Sequence, residues 1–577
     1  MMEEIPEIVI LYGTQGGTAK YASNELAYKL KMNKYIIKEE DLSTFDVMTL
    51  PNLNYVIFVV STHGYGTPPS SCETFFNFIM RSDLPSILND VNFTIFGLGD
   101  SSYEKFNYCA KILCARLKML GANLFHPIGL GDDNHDFCFE GSLEPWSNEL
   151  IENLNKNHFA FHSKIDNLPY DNPYSVQIEQ NITGQVDNLF NKKIKSKIIN
   201  TQQLTEPSAV KQVVKVDIES KECINYSSGD IVLINPINTN KEDIKYLLSY
   251  FNLHEENFVS VYKEKKILLK VKAYDLFMKY LDINSIVKRR FCRIAKEYCD
   301  IPHQKEKLTL YSTVEGRGEF YFYADKERRT YIEMLKDFNG IKLPLDIFIN
   351  EVGFITPREF SISSYHKEKT NHFEVTLGII DYFTEYKRRK IGLFSQMVLN
   401  ILKDNSSERE IMIEIRKGKM KQVSIEKDEL IIVTGTGIAP IRSYLIEKNN
   451  ITKTKGKIIL IYGCRNKDKD YLYKEEFEQR SQFYSNLNIE LYNAFSREGN
   501  NKYYVQNVII DKSNVIIPFV MNDNCERITL VGNAKFLPRA IKIAFTKGIT
   551  REKGLSEEEA EKLFKNTIEN KMYIESW

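Results

Sequence analysis

The chain has 577 residues, 43% of them hydrophobic and 27% charged, which is too long for one core and too apolar for a disordered chain, so three or four folded domains are expected. Lys plus Arg and Asp plus Glu balance at 77 each, so nothing global points to nucleic acid or to an anionic membrane surface. No apolar run reaches the roughly 18–20 residues that span a bilayer. The acidic start "MMEEIPEIVILYG" resembles neither a signal nor a transit peptide, and the nine scattered cysteines contain no C-x-x-C pair. A reduced, cytoplasmic protein with no membrane anchor, no nucleic-acid partner and no cysteine-built metal site is the expectation.

Residues 1–155 alternate apolar strands ("IVILY", "YVIFVVS", "FTIFGLG") with helical patterns such as "TAKYASNELAYKLK", which predicts a doubly wound α/β domain. Residues 156–190 are polar and rich in Asn, Asp and Pro, and read as a hinge. Residues 191–235 are β-rich, and a Lys/Glu/Leu-rich helical insertion is expected over about 238–345. Strands resume with "REFSISS" and "FEVTLGII", closing a second domain over 191–427. A second α/β unit, 428–577, carries the strands "ELIIVTG", "GKIILIYG", "NIELYNAFS" and "RITLVGN".

The loops at the carboxyl ends of these strands carry the chemistry. Thr14, Gln15, Gly16, Gly17, Thr18 and Ala19 lie between a strand and a helix, where backbone N–H groups and hydroxyls cradle an anion. The loop lacks the Lys of a P-loop, so a phosphate monoester such as that of FMN fits better than a triphosphate. Ser61-Thr62-His63-Gly64, "GLGDSSYEKFN" (97–107) and "LGDDNHD" (130–136) end the next strands, and Tyr103 offers a ring for a flat aromatic ligand. Asp100, Asp132 and Asp133 make that edge acidic, either as a solvated rim or as a steering surface for a basic patch on an electron acceptor.

Arg358-Glu359-Phe360-Ser361 offers a cation, a ring and a hydroxyl, and Gly392-Leu393-Phe394-Ser395 reads as a tight turn open to a phosphate. "VTGTGIAPIRS" (433–443) is a Gly-rich turn of the dinucleotide kind. Ser496-Arg497 and Lys502-Tyr503-Tyr504-Val505-Gln506 follow a later strand, and a hydroxyl with two cations suits a 2′-phosphate, hence NADP rather than NAD.

Together with "YGCRNKDKDYLYKEEF" (462–477), "NAFSRE" and "KYYVQ", these loops resemble the NADPH-dependent diflavin reductases over nearly the whole chain. The resemblance implies an α/β multidomain protein: a flavodoxin-like FMN domain, a β-barrel FAD domain with a helical insertion, and a Rossmann-like NADP domain. "GLGDSSYEKFN", "LGDDNH", "EPW" and "GNAK" look most like the soluble branch that serves cytosolic iron–sulfur cluster assembly, whose electron acceptor is the iron–sulfur protein anamorsin. A reductase for heme proteins or another acceptor, and a redox-inactive scaffold, are the alternatives.

By resemblance, Thr14 to Ala19 hold the FMN phosphate. Ser61, Thr62, His63, Gly64, Leu98, Gly99, Asp100, Ser101, Ser102, Tyr103, Glu104, Lys105, Phe106, Asn107 and Asp133 surround its ring. Arg329, Arg358, Glu359, Phe360, Ser361, Gly392, Leu393, Phe394 and Ser395 hold FAD. Thr436, Ser496, Arg497, Lys502, Tyr503, Tyr504, Val505 and Gln506 hold NADPH. Ser361 and Glu575 serve hydride transfer, and the terminal Trp577 lies on the flavin face where nicotinamide must arrive. Departures are His63 at a position where Tyr is frequent, Val433-Thr434 for Gly-Pro, Val531 for Cys and Glu575 for Asp.

Overall fold

The computed structural model describes residues 7–157, 173–179, 184, 186–191, 193–366, 368, 370–404, 408–420, 422–451, 453–499, 501–533 and 536–576. The chain divides into two compact units, one built on Met1–Asp171 and one on Asn172–Gly532 with Leu537–Glu575.

The first unit has strands β1 (Ile8–Gly13), β2 (Ile37–Asp41), β3 (Tyr55–Ser61), β4 (Asn92–Gly99), β5 (Asn123–Leu124) and β6 (Gly129–Asp132). They pair in the order β2-β1-β3-β4-β5, with β6 also on β4, all parallel. This is the flavodoxin-like order, with its topological switch between β1 and β3. The central strands β1, β3 and β4 are apolar on both faces because helices cover them, whereas the edge strand β2, "IKEED", is polar. Val9, Leu11, Val56, Phe58 and Val60 fill one core, and Ile8, Ile10, Ile57 and Val59 fill the other, as the period-two alternation of a strand requires. Trp146, on the helix Glu140–Asn157, is buried in the second core and donates its Nε1–H to the Pro127 carbonyl at 2.8 Å.

The hinge expected over 156–190 falls partly on regular elements and partly outside the described residues. The helix Glu140–Asn157 runs past its start, and β7 (Tyr174–Glu179) and β8 (Val186–Asp187) occupy its end. Residues 158–172 lie outside the described set. The insertion is likewise not purely helical: β12 (Phe258–Lys263) and β13 (Lys266–Lys272) form a hairpin flanked by β7 and β8 in the order β7-β12-β13-β8. Polar Gln, Ser and Lys on the outer face hid these strands, while Val259, Val261, Leu269 and Val271 bury the inner one.

The main antiparallel sheet of the second unit comprises β9 (Ile194–Gln203), β10 (Val213–Ile224), β11 (Ile231–Asn235), β14 (Arg358–Ser361), β15 (Thr370–Gly378) and β18 (Glu410–Arg416), with the short hairpin β16 (Asp381–Phe383) and β17 (Arg389–Ile391) beside it in sequence. Its order is β14-β11-β18-β9-β10-β15, all antiparallel. The expected barrel does not close as a ladder among the described residues. One bridge, Ile362 to Val375, links its two edges.

The last sheet is β21-β20-β19-β22-β23, from β19 (Asp428–Thr434), β20 (Lys457–Cys464), β21 (Asn488–Phe495), β22 (Cys525–Gly532) and β23 (Met572–Ser576), with its first four strands parallel. Leu430 and Ile432 face one core, Ile431 and Val433 the other. No described helix is long and apolar enough to cross a membrane. Among the described residues, no group of three His, Cys, Asp or Glu could hold a metal ion.

Candidate cofactor sites

In the first unit, β1 hands over to the helix Thr18–Met32 through Gly17, whose φ of 89° is the left-handed conformation that favours glycine. No side chain caps this helix and no acid occupies its first turn. The Thr14 hydroxyl accepts the Gly17 N–H at 2.9 Å, which fixes the loop and leaves the helix-start N–H groups for an anion. A Cβ added at Gly16 or Gly17 meets nothing within 4 Å, so the cradle opens onto free space. These donors fit a phosphate monoester.

The neighbouring loops are tied into one edge. Ser61 Oγ donates to the Gly13 carbonyl at 3.3 Å, and Thr62 Oγ1 accepts the Cys109 N–H at 3.3 Å. His63 and Thr67 exchange backbone hydrogen bonds across a turn containing Gly64, and the His63 side chain is exposed. Asp133 N–H donates to the Gly99 carbonyl at 2.8 Å, and Asn107 Nδ2 to the Gly131 carbonyl at 2.9 Å. Tyr103 is half-buried; burial first, then Asp100 and Asp133, push its hydroxyl above the usual range. Glu104 accepts from Tyr65 at 2.9 Å, Lys105 lies over the rings of Tyr65 and Tyr108, and Lys111 lies over Phe106.

The acidic rim is partly internal bracing. Asp132 Oδ1 accepts the N–H groups of Ser101 and Asn134 at 2.8 and 3.0 Å, and Asp100 accepts the Ser102 N–H at 2.8 Å. Burial opposes ionisation of Asp132, but those donors outweigh it and hold its carboxyl below the ordinary range. Asp133 remains exposed.

In the second unit, β14 carries Arg358 to Ser361. Arg358 Nη1 donates to the carbonyl and hydroxyl of Thr356 at 2.6 and 2.8 Å, and the half-buried Phe360 ring lies 5.3 Å from Phe394. Glu359 is paired with Arg416 at 2.6 Å, which makes it a brace for the sheet. Gly392 to Ser395 is not a free turn but the start of the helix Leu393–Lys403: Gly392 is its N-cap, with no side-chain cap and no first-turn acid. Like the Gly17 helix it leaves first-turn N–H groups without a side-chain cap for a second phosphate, but Gly392 itself is packed against Ile380 and donates its N–H to the Ile380 carbonyl at 2.9 Å. Arg329 is paired with Asp337 and stacked 4.4 Å from the Tyr323 ring.

At the carboxyl end of β19, Gly435 has φ 55° and Thr436 is half-buried, and an added Cβ at Gly435 would meet nothing within 4 Å. Gly437 approaches β22 so closely that an added Cβ would lie 3.0 Å from the Val531 carbonyl oxygen. Arg497, Lys502 and Tyr504 are exposed on the neighbouring loops, with Gln506 half-buried beside them, while Tyr503 donates to Asp511 at 2.9 Å. Ser361 Oγ reaches Glu575 Oε1 at 3.5 Å, and Tyr573 donates to Glu575 Oε2 at 3.3 Å. Burial pushes the Glu575 carboxyl above the usual range, and Tyr573 and Ser361 offset this only in part.

Ala19, Leu98, Asn107, Phe394, Ser395 and Val505 are each 4% exposed or less, so their side chains pack beneath the loops and leave the backbone as the exposed part of these positions. The Ser395 hydroxyl is used in accepting the Ile380 N–H at 3.0 Å. Val531, in the position expected for Cys, is fully buried and is a core residue. Trp577 lies outside the described residues. Two groups beside the nucleotide turn escaped the sequence reading: Tyr573, which brackets Glu575, and Arg442, whose partners are far away in sequence.

Family models match in the same order as the sheets: "Flavodoxin" over 10–146, "FAD binding domain" over 188–397 and "Oxidoreductase NAD-binding domain" over 431–541. The chain is 32% identical over 556 residues to NADPH-dependent diflavin oxidoreductase 1 of Dictyostelium discoideum, covering 89% of this chain and 86% of that one. It is 28% identical to the Danio rerio protein of the same name over 99% of both chains, and 28% identical to that of Arabidopsis thaliana over 100% of both.

Proposed function

The chain belongs to the NADPH-dependent diflavin oxidoreductases, and from that premise we propose that it delivers electrons to an anamorsin-like iron–sulfur protein in the cytoplasm. It is an NADPH-dependent oxidoreductase of FMN and FAD. The proposed assignment of residues gives FMN the loops Thr14–Thr18, 61–64, 99–106 and Asp133, all in the first unit. It gives FAD Arg358, Phe360, Ser361 and the helix start at Gly392, and NADPH Thr436, Ser496, Arg497, Lys502, Tyr504 and Gln506. The observation that carries it is the repeated phosphate cradle: the helices Thr18–Met32 and Leu393–Lys403 both begin on an uncapped glycine free of first-turn carboxylate.

When bound, the flavins convert the two-electron hydride of NADPH into single electrons for a one-electron acceptor. The protein's part is placement. Ser361 presents a half-buried hydroxyl at the end of β14, and Glu575 approaches it from β23 at 3.5 Å. Arg497 and Lys502 supply the cations that select a 2′-phosphate. Trp577 is proposed to cover the flavin until the nucleotide displaces it. The exposed Asp133 is the remaining candidate for steering a basic acceptor surface.

Flavin extraction tests the assignment of the first unit: one FMN and one FAD per chain are expected, and FAD alone would overturn it. The acceptor is tested by mixing the NADPH-reduced protein with anamorsin and with cytochromes at equal concentration. Faster oxidation by anamorsin supports the proposal, and faster oxidation by a cytochrome replaces it with a heme-protein reductase.

A further inference from the structure

Hydride transfer requires the reacting atoms to be held about 3–3.5 Å apart, and a misplacement of about 1 Å costs on the order of a hundredfold in rate. Here the nucleotide turn, Gly435–Gly437, and the flavin strand, β14, belong to different sheets. Neither loop alone sets the spacing between them.

The helix Ile438–Ile451 starts at the nucleotide turn, and Arg442 stands one turn into it. Arg442 Nη1 donates to the Ser363 carbonyl at 2.7 Å, two residues beyond Ser361, and to Glu374 Oε2 on β15 at 2.6 Å. Its Nε and Nη2 engage Glu476 at 2.8–3.0 Å, and the Tyr473 ring lies 4.5 Å from the guanidinium carbon. Lys215 binds the other oxygen of Glu374 at 2.9 Å. One guanidinium thus joins the helix after the nucleotide turn to the segment just beyond β14, to β15 and to the segment that follows β20.

We propose that Arg442 is a positioning residue for hydride transfer, its planar fork fixing the register between the nucleotide turn and the strand that carries Ser361. The inference rests on the proposed reading of those two elements as the reaction site.

Adhesion between the sheets has other sources. Ser443 Oγ donates to the Ser364 carbonyl at 2.6 Å, Glu447 accepts the Ser228 N–H at 3.0 Å, and the Tyr473 and Thr376 hydroxyls pair at 2.6 Å. What Arg442 adds is orientation, because a guanidinium engages carboxylates in a fixed plane and an ammonium does not. Burial disfavours its charge, but Glu476, Tyr473 and Glu374 hold its pKa above the ordinary value. Burial likewise opposes ionisation of Glu374, and Arg442 and Lys215 outweigh it. The clamp therefore stays charged across the working pH range.

The test is stopped-flow reduction of FAD by NADPH and by C4-deuterated NADPH in the full-length, flavin-loaded Arg442→Lys protein. The limiting rate per FAD should fall at least tenfold, with NADPH affinity within about threefold of the parent and an isotope effect at least as large. An unchanged limiting rate, or a loss that only tracks lost FAD, overturns the proposal. Should Arg442→Lys not retain FAD, Glu374→Gln, which weakens one arm of the clamp, must show a smaller fall in rate at full FAD content; no fall overturns the proposal. Ser361→Ala run in parallel separates the two readings. No effect there removes Ser361 from the reaction site, whereas no effect only at Arg442 refutes the positioning role.

Discussion

The first phosphate cradle can be tested with one methyl group placed at either of two adjacent glycines. Gly16 has no positive φ and its added Cβ meets nothing within 4 Å, so Gly16→Ala creates neither strain nor a clash. It also removes conformational freedom from the unfolded chain, so the apo protein should be unchanged or stabilised by about 0.4–1 kcal/mol. The same methyl projects into the open mouth of the loop and displaces a phosphate from the backbone N–H groups. Losing one charge-assisted hydrogen bond costs about 1.5–3 kcal/mol, or roughly ten- to a hundredfold in FMN affinity. Gly17→Ala is the contrast: φ 89° adds about 1–2 kcal/mol of backbone strain, so stability and FMN affinity fall together. The assay is fluorescence titration of the FMN-stripped protein, with urea unfolding of the same samples. FMN binding by Gly16→Ala at parental affinity would refute the cradle, whatever Gly17→Ala does.

Arg497→Ala should lower the preference for NADPH over NADH by about ten- to a hundredfold, read as the ratio of kcat/KM values, because a charge-assisted phosphate contact is worth about 1.5–3 kcal/mol. Trp577→Ala should raise the use of NADH, since displacement of the ring no longer draws on the 2′-phosphate contacts; the same ratio measures it. The raised Glu575 carboxyl makes a stability prediction. As pH rises past the ordinary value of 4.5, the unfolded chain releases this proton before the native one, so stability falls from there up to the native pKa. Glu575→Gln should flatten that part of the profile in thermal melts from pH 4 to 8, and parallel profiles would contradict the buried setting.

What was legible in the sequence had local causes. The Gly13–Ala19 and Gly435–Gly437 turns announce themselves because strand, glycine and helix are contiguous, and the central parallel strands because both faces are apolar, whereas the edge strand β2, "IKEED", carries no such run. The burial of Leu98 and Phe394 is not legible in their motifs, because strand and helix geometry decides which side chains of a loop turn into the core. The hairpin of β12 and β13 was missed because "VYKEKKILLKVK" is Lys-rich on one face and reads as insertion helix until its partner β7 is known. Arg442 was invisible for another reason: it sits within a recognised turn-and-helix motif, yet its partners Glu374 and Glu476 lie in other segments of the chain.

The interrupted order of the main antiparallel sheet has a consequence during synthesis. β11 pairs on one side with β14 and on the other with β18, so residues 236–357 must emerge before either partner exists. At about 5–20 residues per second that interval is on the order of ten seconds. Throughout it, "IVLIN" offers two unpaired apolar edges, while the first unit, whose strands all lie within residues 8–132, can already fold. The long-range ladder also raises the contact order of the second unit and slows its closure. The nascent chain is therefore most exposed to aggregation, and most in need of a chaperone, between the appearance of Asn235 and the release of Arg416 from the ribosome.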